Sequence, residues 1–165
     1  MEIPNYDSTS DPDKKYKQLF PVMPADTFRM LICGNSGSGK TNLLFHMLIK
    51  PLLYYDEIYL YARNLEQDKY QKLIQKMREL SSRHKNCSVI YLSQSFYKTP
   101  KDIRLNCSHY CLYEFPSSRE ANRISSELGV DKEKYKEATK KPFTFLYVNK
   151  PRKRIAKNFT SNINY

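Results

Sequence analysis

The octapeptide Gly34 to Thr41, GNSGSGKT, follows directly on the apolar run FRMLIC and leads into TNLLFHMLIK. A buried strand, a glycine-rich turn and a helix in that order fit the pattern GxxxxGK[ST], a complete phosphate-binding loop. Gly34, Gly37 and Gly39 can take backbone angles closed to other residues, which lets consecutive N–H groups turn inward around a phosphate. The following helix aims its positive dipole end at the same point. The candidate nucleotide-binding residues are therefore Gly34, Asn35, Ser36, Gly37, Ser38, Gly39, Lys40, Thr41 and Asn42. Lys40 reads as the cation on the β- and γ-phosphates of a nucleoside triphosphate, and the Thr41 hydroxyl as a ligand of Mg²⁺.

The chain has 165 residues, which suits one domain with a sizeable core and is short for a complete motor. We expect a polar, proline-containing arm at residues 1–26, one domain at 27–160, and a short tail at 161–165. No apolar stretch approaches the ~20 residues of a membrane span, and the N-terminus has no signal-peptide pattern. A soluble protein made in the cytosol is expected. Cys33, Cys87, Cys107 and Cys111 read as small buried residues of a reducing compartment. Cys107, His109 and Cys111 alternate along an expected strand and would share one face, but no second ligand pair exists at zinc-finger spacing.

The net charge of +11 is unevenly spread: Lys140 to Lys157 holds seven Lys or Arg and no acid, ending in KPRKRIAK. Such a run is an electrostatic footprint for nucleic acid, read through phosphates without sequence preference, or else a solvated basic tail. The chain has fourteen tyrosines and no tryptophan. Tyr59 and Tyr61 fall at strand-like spacing, and packing explains them better than base stacking.

Hydrophobic periodicity places strands at Phe28–Cys33, Glu57–Ala62, Ser88–Leu92, Tyr110–Phe115 and Phe143–Val148, with Arg154–Phe159 returning as a hairpin partner. Helices are expected at Thr41–Ile49, Glu66–Leu80, Lys101–Leu105, Ser117–Leu128 and Asp131–Thr139. Ser117 and Glu120 form a Ser-x-x-Glu capping pattern, and Gly129 stops that helix. Alternation of strands and helices predicts an α/β fold of three layers around a mainly parallel sheet. A Ras-type GTPase is excluded, because the string Asn149-Lys150-Pro151-Arg152 lacks the acid of Asn-Lys-x-Asp. The segment RISSELG is an ordinary amphipathic helix, not the Arg-rich lid of a nucleotide kinase.

Over roughly residues 20–160 the chain resembles the genome-packaging ATPases of large eukaryotic DNA viruses and their transposon relatives, in the FtsK–HerA superfamily. The stretches that carry this are FRMLICGNSGSGKTNLL, YDEIYLYARNLEQDKYQKLI and RHKNCSVIYLSQSFYKTPKDIRLNCSHYCLYEF. The resemblance implies a P-loop NTPase fold and ATP-driven translocation of double-stranded DNA by a homo-oligomeric ring. It implies that Gln94, ending its strand, lies beside the γ-phosphate and senses it. It leads us to expect Arg104 and Asn106 in TPKDIRLN, with Arg104 either a finger reaching a neighbour's nucleotide or a structural partner of Asp102 or Glu114. Arg83 is a weaker finger candidate, and His46 reads as a partly buried helix residue.

One expected part is missing. The resemblance implies a Walker B strand, an apolar run ending in acid, before the Gln94 strand. Here Arg78 to Leu80 runs through Ser81 and Ser82 straight into RHKNCSVIYL, so the fold should lack a central strand. Mg²⁺ then loses its acidic partner and the attacking water its orienting carboxylate. The substitute in sequence is Glu114, which ends YCLYE on a strand expected outside the Gln94 strand. The readings left open are an ATP-binding domain of a packaging motor with impaired hydrolysis, and a truncated or domesticated remnant that only binds nucleotide or DNA.

Overall fold

The computed structural model describes residues 28–49, 88–159 and 161–163. The first strand, β1 (Arg29–Cys33), is buried from its second residue onward, as its unbroken apolar run requires. It ends at the glycine loop, from which helix α1 (Lys40–Ile49) starts. The chain resumes with β2 (Val89–Ser93), the short helix α2 (Lys101–Asn106) and β3 (His109–Tyr113). Helices α3 (Ser118–Leu128) and α4 (Lys132–Thr139) lead to a meander of β4 (Phe145–Asn149), β5 (Arg154–Lys157) and β6 (Ser161–Ile163).

Among the described residues the sheet order is β2-β1-β3-β4-β5-β6. β1 pairs in parallel with β2 and with β3, giving the parallel centre that the alternation of elements predicts. β3, β4, β5 and β6 then pair antiparallel in succession, so Arg154–Lys157 does return as the hairpin partner of β4. Side chains alternate across the sheet and build two cores. Leu31, Tyr110, Leu112, Leu146 and Val148 pack with Ile124, Leu128 and Tyr135 of α3 and α4 on one face. Met30, Ile32, Cys111, Phe145 and Tyr147 pack with Leu44, Met47 and Leu48 of α1 on the other. Helix, sheet and helix make the three layers.

Helix ends follow local chemistry, with one departure. Asp131 caps α4 with its carboxylate accepting from the N–H groups of Glu133 (2.9 Å) and Lys134 (3.0 Å). Gly129 closes α3 at φ 66°. Ser117 is the N-cap of α3 but makes no side-chain cap hydrogen bond, and the capping box does not form, because Glu120 is used elsewhere. The expected strand Glu57–Ala62, helix Glu66–Leu80, residues Arg83 and Cys87, the junction at Leu80–Ser82 and the N-terminal arm lie outside the described residues. The expected loss of a central strand turns on that junction and lies outside them too.

Candidate nucleotide-binding site

Because β1, β2 and β3 run parallel, their C-terminal ends meet at one edge of the sheet, and the glycine loop crosses it there. Two loop glycines are required by angle: Gly37 sits at φ 77° and Gly39 at φ 98°. Gly34 is required by space instead, since a Cβ there would stand 2.6 Å from Tyr113 Cβ and 2.7 Å from Ser38 Oγ. The expectation of special backbone angles therefore holds at two of the three. The loop is tied to β2 by the Gly34 N–H donating to the Ser93 carbonyl at 3.1 Å, and closed on itself by Ser38 N–H to Asn35 O at 3.2 Å.

Lys40, at the first position of α1, folds back over the loop. Its Nζ donates to the carbonyls of Gly34 (2.7 Å) and Asn35 (2.6 Å). Burial lowers its pKa below the usual 10.5, and the neighbouring Cys33 opposes that shift. Cys33 itself is pushed up to about 12 by burial, so it stays a neutral thiol under the loop. Ser38 Oγ is buried without a hydrogen-bond partner, which is costly for a hydroxyl unless a ligand oxygen satisfies it. Positive-φ glycines, a retractable cation and an orphan hydroxyl at a helix start fit a polyphosphate.

Gln94 stands exposed just past β2, one residue beyond the Ser93 that bonds Gly34. The segment that follows it is held from two sides. Glu120 of α3 accepts from Ser95 Oγ and from the Tyr97 N–H at 2.8 Å. Arg104 of α2 donates through Nη1 to the carbonyls of Phe96 (3.1 Å), Tyr97 (2.9 Å) and Thr99 (2.8 Å). Its other edge makes a two-point pair with Glu127, Nε to Oε2 at 2.9 Å and Nη2 to Oε1 at 2.8 Å. With 5% exposure, Arg104 faces inward and ties the segment after Gln94 to the rest of this chain. Its partner is Glu127; Asp102 and Glu114 are both exposed and take no part.

Three further expectations are corrected. The strand carrying Glu114 lies directly beside β1, on the side opposite β2, so Glu114 and Gln94 flank the loop from opposite sides. Cys107 does not share a face with Cys111: it precedes β3 and belongs to the core under α3 and α4, whereas Cys111 faces α1. His109 packs edge-on against Phe28 and stacks on Tyr147, and its Nδ1 lies 2.8 Å from Ser108 Oγ. No group of three potential metal ligands exists among the described residues. His46 is exposed rather than partly buried.

The basic run is continuous in sequence but divided in space. β4 runs antiparallel to β3, so Lys140 and Lys141 lie before its start at the loop edge. Lys150, Arg152, Lys153 and Arg154 form the β4–β5 turn at the opposite edge, where Asn149 pairs with Arg154. Lys157, opposite Leu146, returns toward the loop edge. Sequence reasoning missed Glu120, Glu127, Tyr113 and Phe143; the available signal was Pro-Phe-Thr at a turn before a strand, where glycine would be usual third in the turn.

The sequence matches the family described as Poxvirus A32 protein over residues 16–77, a span that includes the whole glycine loop. No match is found among curated proteins. Among solved structures, the fold is shared with B204, the DNA-packaging ATPase from Sulfolobus Turreted Icosahedral Virus, at 14% identity and a TM-score of 0.50, covering 80% of this chain and 97% of that one. It is also shared with the genome packaging NTPase B204 from Sulfolobus turreted icosahedral virus 2 in complex with ATP-gammaS, at 15% identity and a TM-score of 0.51, covering 79% and 96%. The same protein in complex with AMPPCP gives 16% identity and a TM-score of 0.50, covering 82% and 98%. At such identities the structural likeness speaks for the fold. No helix among the described residues is long and apolar enough to cross a membrane. Family match and shared fold bear out the resemblance: this chain is similar to the viral genome-packaging ATPases of the A32 type.

Proposed function

We propose that this domain binds ATP with Mg²⁺ at Gly34–Asn42 as the nucleotide-binding part of a viral-type DNA-packaging motor, and that its own hydrolysis is slow or absent. The observation that carries the reading is the pair Lys40 and Ser38. A lysine held by loop carbonyls can swing to a phosphate, and the buried Ser38 hydroxyl gains an acceptor when it does. Thr41 would hold Mg²⁺, which supplies charge neutralisation between the β- and γ-phosphates. Gln94 would lie toward the γ-phosphate on the β2 flank. It can donate or accept a hydrogen bond there but cannot take a proton at neutral pH.

Of the three parallel strands, β3 alone is followed directly by an acid, Glu114, and it stands on the flank away from Gln94. Among the described residues the parallel strands thus end in no carboxylate on the Gln94 flank, where the attacking water would need one. A general base contributes typically ~10²–10⁴-fold in rate, so turnover falls toward background with nucleotide still bound. Double-stranded DNA would be engaged by the cationic β4–β5 turn, in a homo-oligomeric ring. Titration with a fluorescent ATP analogue tests the site: Lys40→Ala abolishes binding, and a variant that binds like wild type removes the loop from consideration. Glu114→Gln should change residual turnover little; turnover on the order of 1 s⁻¹, lost in Lys40→Ala, would contradict impaired hydrolysis.

A further inference from the structure

Phe143 is the most exposed large apolar side chain among the described residues, at 70%. It is also left-handed, at φ 61°, an outlier for a bulky residue. It occupies the third position of the turn Lys141-Pro142-Phe143-Thr144, where φ above zero ordinarily selects glycine. That turn is held by Thr144 N–H and Thr144 Oγ1, both donating to Lys141 O at 3.2 and 2.6 Å. Strain and exposure in one side chain oppose stability twice, and such residues concentrate where a ligand is handled. The ring lies against the glycine loop: a Cβ on Gly39 would meet Phe143 Cδ1 at 3.2 Å.

The flank matters. Phe143 precedes β4, and Phe145 pairs with Tyr113 of β3, so the ring stands on the β3–β4 side of the loop, opposite β2 and Gln94. Polyphosphate laid along the loop with its terminal group toward Gln94 directs its nucleoside end over that side. We infer that the exposed face of Phe143 is the stacking platform for the base of the bound nucleoside triphosphate. This rests on the phosphate-loop reading above and extends it to the other end of the ligand. Because every base offers a π-face, the platform serves adenine and guanine nucleotides alike.

The test compares ATP, GTP and inorganic triphosphate, which keeps the phosphates and lacks the base. Phe143→Ala should weaken both nucleotides by about tenfold and leave inorganic triphosphate unchanged. Phe143→Gly, which relieves the left-handed backbone, should lose the same affinity with a Tm no lower than wild type. The chain contains no tryptophan, so Phe143→Trp installs a single reporter; ATP should quench it and inorganic triphosphate should not. Unchanged nucleotide affinity in Phe143→Ala and Phe143→Gly overturns the inference, as does an equal loss for inorganic triphosphate. An unchanged affinity accompanied by a shift in sedimentation assigns the ring to a subunit contact instead. Wild-type protein that binds inorganic triphosphate as tightly as ATP removes the platform and leaves the cradle standing. Wild-type protein that binds neither removes both.

Discussion

Arg104 and Glu127 lie on different helices, 23 residues apart, and close a two-point ion pair whose side chains are only 6% and 14% exposed. The pair fixes α2 to α3, while the remaining edge of the guanidinium holds three carbonyls of the segment after Gln94. Its worth therefore lies less in mutual attraction than in what happens when one member is removed.

Glu127→Ala leaves a buried guanidinium uncompensated and should cost about 3–5 kcal/mol in urea unfolding. Arg104→Lys should not rescue the fold, because an ammonium cannot span Glu127 and three carbonyls in one plane. The loss should be independent of protein concentration. A destabilisation seen only in an oligomer would return Arg104 to a role between subunits.

Gly34→Ala and Gly37→Ala should differ in mechanism and size. At Gly37 nothing lies within 4 Å of a new Cβ, so the cost is the left-handed backbone alone, about 1 kcal/mol. At Gly34 the new carbon collides with Tyr113 Cβ, which belongs to a buried strand, and overpacking of this kind costs roughly 1–3 kcal/mol. Thermal unfolding of the two variants ranks them directly; a less stable Gly37→Ala would show that the strand edge yields more easily than packing suggests.

His109 makes stability depend on acid. Burial, with Arg152 adding to it, depresses its pKa from 6.5 to about 4. The unfolded chain protonates this imidazole below about pH 6.5 and the folded chain does not, so unfolding takes up a proton across that window. Stability should fall by up to about 3 kcal/mol as pH drops from 6.5 to 4. His109→Gln should flatten this dependence in denaturant unfolding at pH 4.5 and 7, whatever its effect at neutral pH. An unchanged slope would mean that the imidazole is already charged in the fold.

The two ends of the basic run should behave differently toward DNA. Replacing Arg152, Lys153 and Arg154 with alanine removes three cations of the β4–β5 turn and should lower the slope of log K against log salt by close to 3 for duplex DNA. Lys140→Ala with Lys141→Ala should leave that slope in place and weaken nucleotide binding slightly. Equal effects of both sets would mean that DNA reaches the loop edge.

Much of the fold was legible because its signals are local. The run FRMLIC, the glycines before α1 and Gly129 each act within a few residues, and the structure places strand, loop and stop where they predict. The site was legible only in part, because its remaining geometry is made by elements distant in sequence. Glu120 satisfies a capping pattern on paper, yet Ser95 and Tyr97 compete for its carboxylate and win. The neighbour of β1 that carries Glu114 depends on sheet order, which periodicity does not encode. The basic run looked like one surface because sequence proximity hides a hairpin that reverses direction.

That hairpin has a mechanical meaning. β4 spans five residues, about 17 Å of extended backbone, between Phe143 at the loop edge and the cationic turn at the other. It is buried along its whole length and bonded on both sides, to β3 and to β5. A strand so confined cannot bend locally; it can only shift along its axis with its neighbours or stay still. A pull on the cationic turn therefore reaches the loop edge as displacement of a stiff strut, and its travel is limited to what that strut can slide along its neighbours.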